Sequence, residues 1–130
     1  MLPKLYTDGS TYNNGKPYQE SYIAVVDGHG QLITHTCIGS ATISEAEYAA
    51  VIVALRYSQL KQKPFSIFTD SKLVVAQVNG EWRVKEPRLK PLCDQATKLM
   101  HITKSTVEWI SRDDNLAGHH FEQIQKQGLR

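Results

Sequence analysis

Three acidic residues in the sequence lie where a predicted strand ends or a predicted helix begins. Asp8 closes the first predicted strand, Asp70 closes the fourth, and Glu47 lies in the first turn of the longest predicted helix. If the two strands are parallel neighbours, both aspartates leave the sheet at one edge. Carboxylates gathered in this way repel one another unless a cation binds between them, and all-oxygen ligands suit Mg²⁺ or Mn²⁺. The pattern therefore predicts a metal centre, and two such ions about 4 Å apart are typical of enzymes that cleave phosphodiesters.

Each of these acidic residues also has a purely structural interpretation. Asp8 could be the first residue of an Asp-Gly turn, and Asp70 could be the N-cap of the helix that follows it. Glu47 fits a capping box in which it reaches back to Ser44. The shared metal centre is favoured because the topology would gather all three carboxylates in one place.

A second group of reactive side chains is the stretch RDDNLAGHH at residues 112–120. Asp113 and Asp114 suit the start of a helix, as an N-cap and as a favourable charge at its positive end. His120 shares a helix face with apolar residues, which indicates a structural role. His119 points away from that face and can line a cleft, as a metal ligand, a proton carrier or an exposed bystander.

The elements that must position these residues follow from hydrophobic periodicity and turn residues. The order is β-β-β-α-β-α-α-β-α, with strands at residues 5–8, 22–26, 31–38, 65–70 and 106–111 and helices at residues 44–61, 71–80, 87–100 and 115–127. A hairpin followed by strand–helix alternation predicts an α/β fold with a mixed sheet. We expect the first three strands to be antiparallel and the last two to run parallel to the first.

The composition fits one globular domain over residues 1–130. Hydrophobic residues make up 41% and charged residues 22% of the chain, and no apolar run is long enough for a membrane span. The sequence predicts a strand from residue 5 with no signal peptide before it. Two cysteines, Cys37 and Cys93, are too few for a disulfide framework. These features predict a cytoplasmic protein with free thiols that makes no membrane contact.

A basic cluster lies beside one tryptophan in the second half of the chain. Arg83, Lys85, Arg88 and Lys90 fall within eight residues and follow Trp82. The net charge of +2 is only weak support for a polyanionic partner, so the cluster carries more information. It fits a nucleic-acid-binding surface, and it equally fits a solvated loop and helix start.

Three stretches resemble one family, in the same order along the chain. They are TDGS at residues 7–10, EAEYAAVIVAL at residues 45–55 and TDSKLVVAQVNGEWRVKEPRL at residues 69–89. They resemble type 1 ribonuclease H, and most of all its compact branch, often called plant-like and also found in bacteria and archaea. The resemblance implies a five-stranded mixed sheet with helices on both faces. It also implies hydrolysis of the RNA strand of an RNA/DNA hybrid with two divalent ions.

The resemblance assigns roles to single residues. Asp8, Glu47 and Asp70 match three of the four catalytic, metal-binding carboxylates. Thr42 matches a residue that grips a DNA-strand phosphate, and Asn14 matches one that contacts the minor groove, where a 2′-hydroxyl can be read. The residues implied in substrate binding are Asn14, Thr42, Lys72, Trp82, Arg83 and Arg112.

The sequence departs from the family pattern at three places. His119 stands where the fourth metal-binding aspartate is expected, so the site has one negative charge fewer. Because imidazole is a poor ligand for Mg²⁺ and a better one for Mn²⁺, we expect a preference for Mn²⁺ or weakened activity. Ile43 and Ser44 replace a frequent asparagine pair, and Lys72 replaces a frequent glutamine.

Three functions are compatible with these residues. The first is an active hybrid-specific ribonuclease with an altered metal preference. The second is a catalytically inactive relative that binds a hybrid or another nucleic-acid duplex through the same surface. The third is a nuclease or transposase-type enzyme that acts on DNA, since the fold alone does not fix the substrate. None of them requires an obligate protein partner.

Overall fold

The computed structural model describes residues 1–128, which form a five-stranded mixed sheet with helices on both faces. The strand order across the sheet is β3-β2-β1-β4-β5. The strands are β1 (Lys4–Tyr12), β2 (Glu20–Asp27), β3 (Leu32–Gly39), β4 (Ser66–Thr69) and β5 (Thr106–Trp109), and the helices are α1 (Ile43–Lys61), α2 (Lys72–Val78), α3 (Lys90–Thr103) and α4 (Leu116–Lys126). Strands β1, β2 and β3 are antiparallel, whereas β4 and β5 run parallel to β1. The predicted fold class and element order are confirmed.

The sheet separates a large core from a small one. Helices α1, α2 and α3 cover one face, where Tyr48, Val51 and Leu55 of α1 are fully buried. The second face is covered by α4, whose Phe121 packs with Val26 of β2. Helix α1 is apolar on most sides because it lies between the sheet and α3, which explains its run of buried aliphatic residues. Of the helices described within residues 1–128, none is both long and apolar enough to cross a lipid bilayer.

Strand β1 continues beyond the turn that the sequence predicts. Asp8, Gly9 and Ser10 remain paired with β2, and the strand ends only at Tyr12. The prediction of a strand end and an Asp-Gly turn at Asp8 is therefore wrong. The reason is that β2 offers backbone partners along the whole segment, and these ladder hydrogen bonds outweigh the local turn preference. The chain bends instead at Asn13, whose φ is 55°.

The N-terminus of α1 is capped by a pair that the sequence interpretation misplaces. Thr42 is the N-cap: its side chain accepts a hydrogen bond from the Glu45 N–H at 3.1 Å, and the Glu45 carboxylate accepts from the Thr42 N–H at 2.9 Å. A capping box between Ser44 and Glu47 is therefore wrong. Glu47 lies two positions beyond the capping position of Glu45, and its side chain is turned towards β1 instead.

The N-caps of α2 and α4 also differ from the predicted ones. Ser71 caps α2, and Asp70 precedes the cap, so its interpretation as an N-cap is wrong. Asn115 caps α4 through a hydrogen bond from the Ala117 N–H, while Asp113 and Asp114 lie in a preceding 3₁₀ turn (Arg112–Asp114). Helix α3 begins at Lys90 and not at residue 87, with its first helical bond made by Cys93.

Candidate metal centre at the carboxyl edge of the sheet

Three carboxylates meet at the point where β4 ends. Asp8, Glu47 and Asp70 each offer one oxygen, and these three atoms all lie within 4.8 Å of one another. The structure thus brings together the acidic residues whose convergence the sequence predicts. Asp8 and Glu47 are buried, with 5% and 7% of their surface exposed, and Asp70 is half-buried.

The parallel pairing of β1 and β4 places the two aspartates side by side. The register joins Lys4 to Ser66 and Tyr6 to Phe68, so the same offset continued by two residues sets Asp8 beside Asp70. Because β4 ends at residue 69, Asp70 is the first residue after the strand, at the edge of the sheet. Asp8 lies within its strand. The site depends on this register, since a slip by one residue would turn Asp8 to the other face of the sheet.

Glu47 reaches the two aspartates because α1 lies directly against β1. The Gly9 N–H donates a hydrogen bond to Oε1 of Glu47, which fixes the carboxylate beside Asp8. A Cβ atom on Gly9 would lie 2.5 Å from the carbonyl carbon of Ala46 and 2.7 Å from the Glu47 nitrogen. Only glycine permits this approach, so Gly9 is part of the site although the sequence interpretation treats it as a turn residue.

Asp70 is oriented by two residues that sequence reasoning does not assign to the site. The fully buried Asn115 donates from Nδ2 to Oδ2 of Asp70 and to the Thr7 carbonyl oxygen, both at 3.0 Å. The Trp109 indole N–H donates to the backbone carbonyl of Asp70 at 3.2 Å. The one available signal for Asn115 is its place in the stretch RDDNLAGHH after β5, where it is interpreted only as the start of a helix.

The electrostatics of the cluster favour a bound cation. Burial, and then the charge of Asp70, raise the pKa of Asp8 to about 7. Burial, and then the charge of Asp8, raise the pKa of Glu47 to about 9. Oδ1 of Asp8 is buried with no hydrogen-bond partner among residues 1–128. An all-oxygen donor set with an unsatisfied carboxylate oxygen fits a hard divalent ion such as Mg²⁺ or Mn²⁺.

Helix α4 approaches this cluster with a glycine, and its neighbour His119 stands beside it. A Cβ atom at Gly118 would lie 3.6 Å from Oδ2 of Asp8 and 3.9 Å from Oδ2 of Asp70. His119 is exposed and is not a member of the group whose ligand atoms lie within 4.8 Å of one another. Its role as a fourth ligand stays a prediction. His120 contacts the sheet, where its Nε2 lies 2.7 Å from Nδ1 of His35, so its structural assignment is confirmed.

The residues predicted to bind substrate lie on several separate segments of the chain. Asn14 is exposed in the loop after β1, and Arg112 is exposed in the 3₁₀ turn, where its charge offsets a small part of the rise in the pKa of Asp8. The Thr42 hydroxyl is already engaged as the helix cap. The Lys72 ammonium lies 5.1 Å from the centre of the Trp109 ring, at the exposed edge of the sheet.

Two residues of the basic cluster, Arg83 and Lys85, line a pocket between the start of α1 and the segment after α2. The pocket has a volume of about 620 Å³, and Trp82, Glu81 and Glu86 also line it. Trp82 is 53% exposed, so its ring is available to a ligand. The structure therefore places one aromatic and two cationic side chains on a concave surface that also carries two carboxylates. Aromatic and cationic groups side by side are common in nucleic-acid-binding sites.

Comparison with known proteins relates the chain to one group. Residues 6–122 match a family described as "Reverse transcriptase-like". The chain is 33% identical to "Bifunctional protein Rv2228c" of Mycobacterium tuberculosis over 119 residues, which cover 88% of this chain and 33% of that protein. It is 30% identical to "Ribonuclease HI" of Halobacterium salinarum over 124 residues, which cover 86% of this chain and 60% of that protein. The chain thus spans only about a third of the mycobacterial relative.

Two solved structures share the fold over their full length. The N-terminal RNase H domain of Rv2228c superimposes with a TM-score of 0.72 at 28% identity, covering 98% of this chain and 99% of that one. LC11-RNase H1, solved in complex with an RNA/DNA hybrid, gives a TM-score of 0.72 at 26% identity, covering 96% and 98%.

Proposed function

Since the chain belongs to the reverse transcriptase-like family of ribonuclease H-like domains, we propose that it is a ribonuclease H that cleaves the RNA strand of RNA/DNA hybrids. The observation that carries the proposal is the meeting of Asp8, Glu47 and Asp70 within 4.8 Å at one sheet edge. The names of the halobacterial and LC11 relatives support the reaction, and the LC11 complex supports the hybrid as substrate.

Asp8, Glu47 and Asp70 would hold the divalent ions. Such ions lower the pKa of water and neutralise the charge that develops on a phosphodiester during cleavage. The protein's own contribution is to fix the carboxylates before substrate arrives: Asn115 orients Asp70, and the Gly9 N–H orients Glu47. Binding of the ions must displace protons, because Asp8 and Glu47 bind protons unusually tightly without them.

The hybrid would lie over the carboxylates and the pocket that Trp82 and Arg83 line. Trp82 and Arg83 flank a pocket next to the start of α1, and their charge and exposed ring suit a nucleic-acid backbone. Asn14, Lys72 and Arg112 lie on exposed segments around the site. We propose that all five contact the hybrid, with Thr42 contributing beside Arg88, which lies 3.9 Å from the capping residue Glu45.

The test is cleavage of an end-labelled RNA/DNA hybrid with Mg²⁺, with Mn²⁺ and with EDTA. Single-stranded RNA, double-stranded RNA and double-stranded DNA of the same sequence are the controls. We expect the protein to cleave the hybrid in the presence of metal and to leave the three control substrates uncleaved. Cleavage of the DNA duplex at a similar rate would instead support a DNA-directed nuclease, and cleavage in EDTA would contradict the metal centre.

We further propose that His119 is a fourth ligand or proton carrier, so that Mn²⁺ supports cleavage better than Mg²⁺. Its position next to Gly118, which faces Asp8 and Asp70, supports this proposal. His119→Asp should raise the rate with Mg²⁺, and His119→Ala should remove the activity with Mn²⁺. An unchanged rate in His119→Ala would mean that three carboxylates suffice.

A second candidate function is binding of the hybrid without cleavage. The observation that favours it is the exposed His119 at the position of an expected carboxylate, which leaves three acidic ligands. This function requires that neither the wild type nor His119→Asp cleaves with either metal, while the affinity for hybrid falls steeply with salt concentration.

We also propose that residues 1–130 are one domain that acts in the cytoplasm without an obligate protein partner. Residues 129–130 of that span lie outside the described part of the chain. The location is supported by Cys37 and Cys93, which are both free thiols.

A further inference from the structure

A second polar pocket lies at the end of the sheet opposite to the carboxylates. Its volume is about 500 Å³, and it is bounded by the start of β1, the β2–β3 hairpin and the end of α1. Lys4, which lines the pocket, lies about 13 Å from Asp8 along β1, at a rise of about 3.3 Å per residue. Lys61, which also lines it, lies about 21 Å from Glu47 along the axis of α1, at a rise of about 1.5 Å per residue. The pocket is therefore separate from the proposed metal centre.

Most of the ionisable residues that line this pocket are basic. Lys4, Lys61, Lys63 and His29 line it, and Asp27 is the only acidic residue among its lining residues. Oδ1 of Asp27 accepts hydrogen bonds from two backbone N–H groups of the hairpin, at 2.8 and 3.0 Å. Within residues 1–128, none of the three lysines has a carboxylate oxygen within 4.0 Å. The Lys4 ammonium lies 6.0 Å from the centre of the Phe68 ring, which does not line the pocket. The Lys61 and Lys63 ammonium groups repel each other there, and a bound anion would relieve this repulsion.

Aromatic rings hold two of these ammonium groups at the pocket. The Lys61 ammonium lies 5.5 Å from the centre of the Tyr57 ring, and the Lys63 ammonium lies 5.4 Å from the centre of the Phe65 ring. Both rings line the same pocket. Cation–π contacts restrict the flexible lysine side chains, so part of the ordering needed to bind an anion is already present.

We propose that this basic pocket, lined by Lys4, Lys61, Lys63 and His29, binds a phosphate group, carried either by a free nucleotide or by a nucleic-acid strand. The two ammonium groups of Lys61 and Lys63 at one concave space suit a multiply charged phosphate, which lysine binds as a point charge. The proposal does not depend on the proposed nuclease activity. It assigns a ligand to a part of the molecule that the carboxylate site does not use.

The test uses the full chain in EDTA, so that metal ions at the carboxylates play no part. Pyrophosphate, adenosine monophosphate, adenosine and a single-stranded oligodeoxynucleotide are titrated separately at low salt while backbone amide resonances are followed. The variant Lys61→Gln/Lys63→Gln removes two charges from the pocket. Lys98→Gln/Lys126→Gln is the matched control, because it removes two charges from exposed positions on α3 and α4.

We expect pyrophosphate and the monophosphate, but not adenosine, to shift the amides of His29 and Phe65. The dissociation constant should rise about ten-fold or more in the pocket variant and stay within about two-fold in the control, since two charge-assisted contacts are lost. Saturable shifts of the same amides by the oligonucleotide would identify a nucleic-acid strand as the phosphate source. Their absence would identify a free nucleotide. No saturable binding at millimolar ligand, equal weakening in both variants, or shifts confined to the carboxylate end would overturn the proposal.

Discussion

Asp70 depends on neighbours that are distant in sequence for its orientation. Asn115 donates to its carboxylate, and the Trp109 indole donates to its backbone carbonyl. Neither residue carries a charge or resembles a catalytic group, yet both fix the position of one candidate ligand. Residues of this kind around metal sites affect metal affinity by about 10- to 100-fold when they are replaced.

We predict that Asp70→Asn abolishes cleavage of the hybrid and leaves the fold intact. The loss should exceed the roughly 100-fold effect typical of residues behind a metal ligand, because a ligand itself is removed. Stability should change by less than about 1 kcal/mol, since Ser71 caps α2 and an asparagine oxygen can still accept from Asn115. The measurements are hybrid cleavage and thermal unfolding.

The matched control for this substitution is Asp113→Asn, which neutralises an exposed aspartate in the 3₁₀ turn. It should keep the wild-type rate. A near wild-type rate in Asp70→Asn would contradict the assignment of the ligand. A large drop in its melting temperature would show instead that Asp70 stabilises the start of α2.

At the scale of elements, the site rests on the close contact between β1 and the first turn of α1. Gly9 is the point of contact, and its missing side chain lets Glu47 reach Asp8. The Thr42–Glu45 capping box sets the residue at which α1 begins, and it precedes Ala46 and Glu47 at this contact. The position of one carboxylate is thus set by a strand, a glycine and a helix cap together.

We predict that Gly9→Ala is strongly destabilising and impairs cleavage. Its Cβ would lie 2.5 to 2.8 Å from three atoms of Ala46 and Glu47, two of which are backbone atoms, so the helix must move. Overpacking of this kind costs about 1–3 kcal/mol or more. Gly28→Ala is the control, because its nearest contact would be an ordinary 3.5 Å. Equal melting temperatures of the two variants in thermal unfolding would refute the close-contact argument.

The capping box gives a second prediction for α1. Thr42→Ala should lower the free energy of unfolding by about 1 kcal/mol, the usual effect of losing an N-cap. Ser44→Ala should have almost no effect, because Ser44 is not the cap. Urea denaturation of both variants measures this difference, and a larger loss in Ser44→Ala would mean that the helix begins elsewhere.

For the whole molecule, the buried carboxylates couple stability to pH and to metal. The ordinary pKa values of 3.8 for Asp8 and 4.5 for Glu47 are raised to about 7 and about 9 in the folded protein. Between pH 4 and 9 the folded state therefore binds more protons at these groups than the unfolded chain does. Their contribution to stability is present at low pH and is lost as pH rises through this window.

We predict that, in EDTA, wild-type stability falls relative to that of Asp8→Asn/Glu47→Gln as pH rises from 5 to 9. The double variant shares all other titrating groups, including His120, whose pKa is lowered by burial and by His35. Mg²⁺ or Mn²⁺ should restore more stability at pH 9 than at pH 5, because the ion competes with protons. Melting temperatures across this range test both statements, and parallel profiles of the two proteins in EDTA would contradict them.

The sequence by itself determined the order of the elements, the fold class and the three convergent carboxylates. Hydrophobic periodicity reports which side of an element is buried, and parallel strand order then forces residues at strand ends to one edge. Asp70 follows from this rule, and Glu47 lies near the start of the helix that packs on it. Asp8 meets them through its register with β4, although β1 runs on to Tyr12. The structural role of His120 follows from the same periodicity.

Only the tertiary structure decided where contacts with residues distant in sequence override the local turn and capping preferences of the chain. Asp8-Gly9 has the composition of a turn, but pairing with β2 keeps it in a strand. Asn115 has the composition of a cap and is one, yet its amide also bridges Thr7 and Asp70, more than forty residues away. The lysines around the basic pocket come from a strand, a helix end and a loop, so their proximity exists only in the folded chain. Hydrogen-bond partners and neighbouring charges that are remote in sequence leave no local pattern, which is why packing had to reveal them.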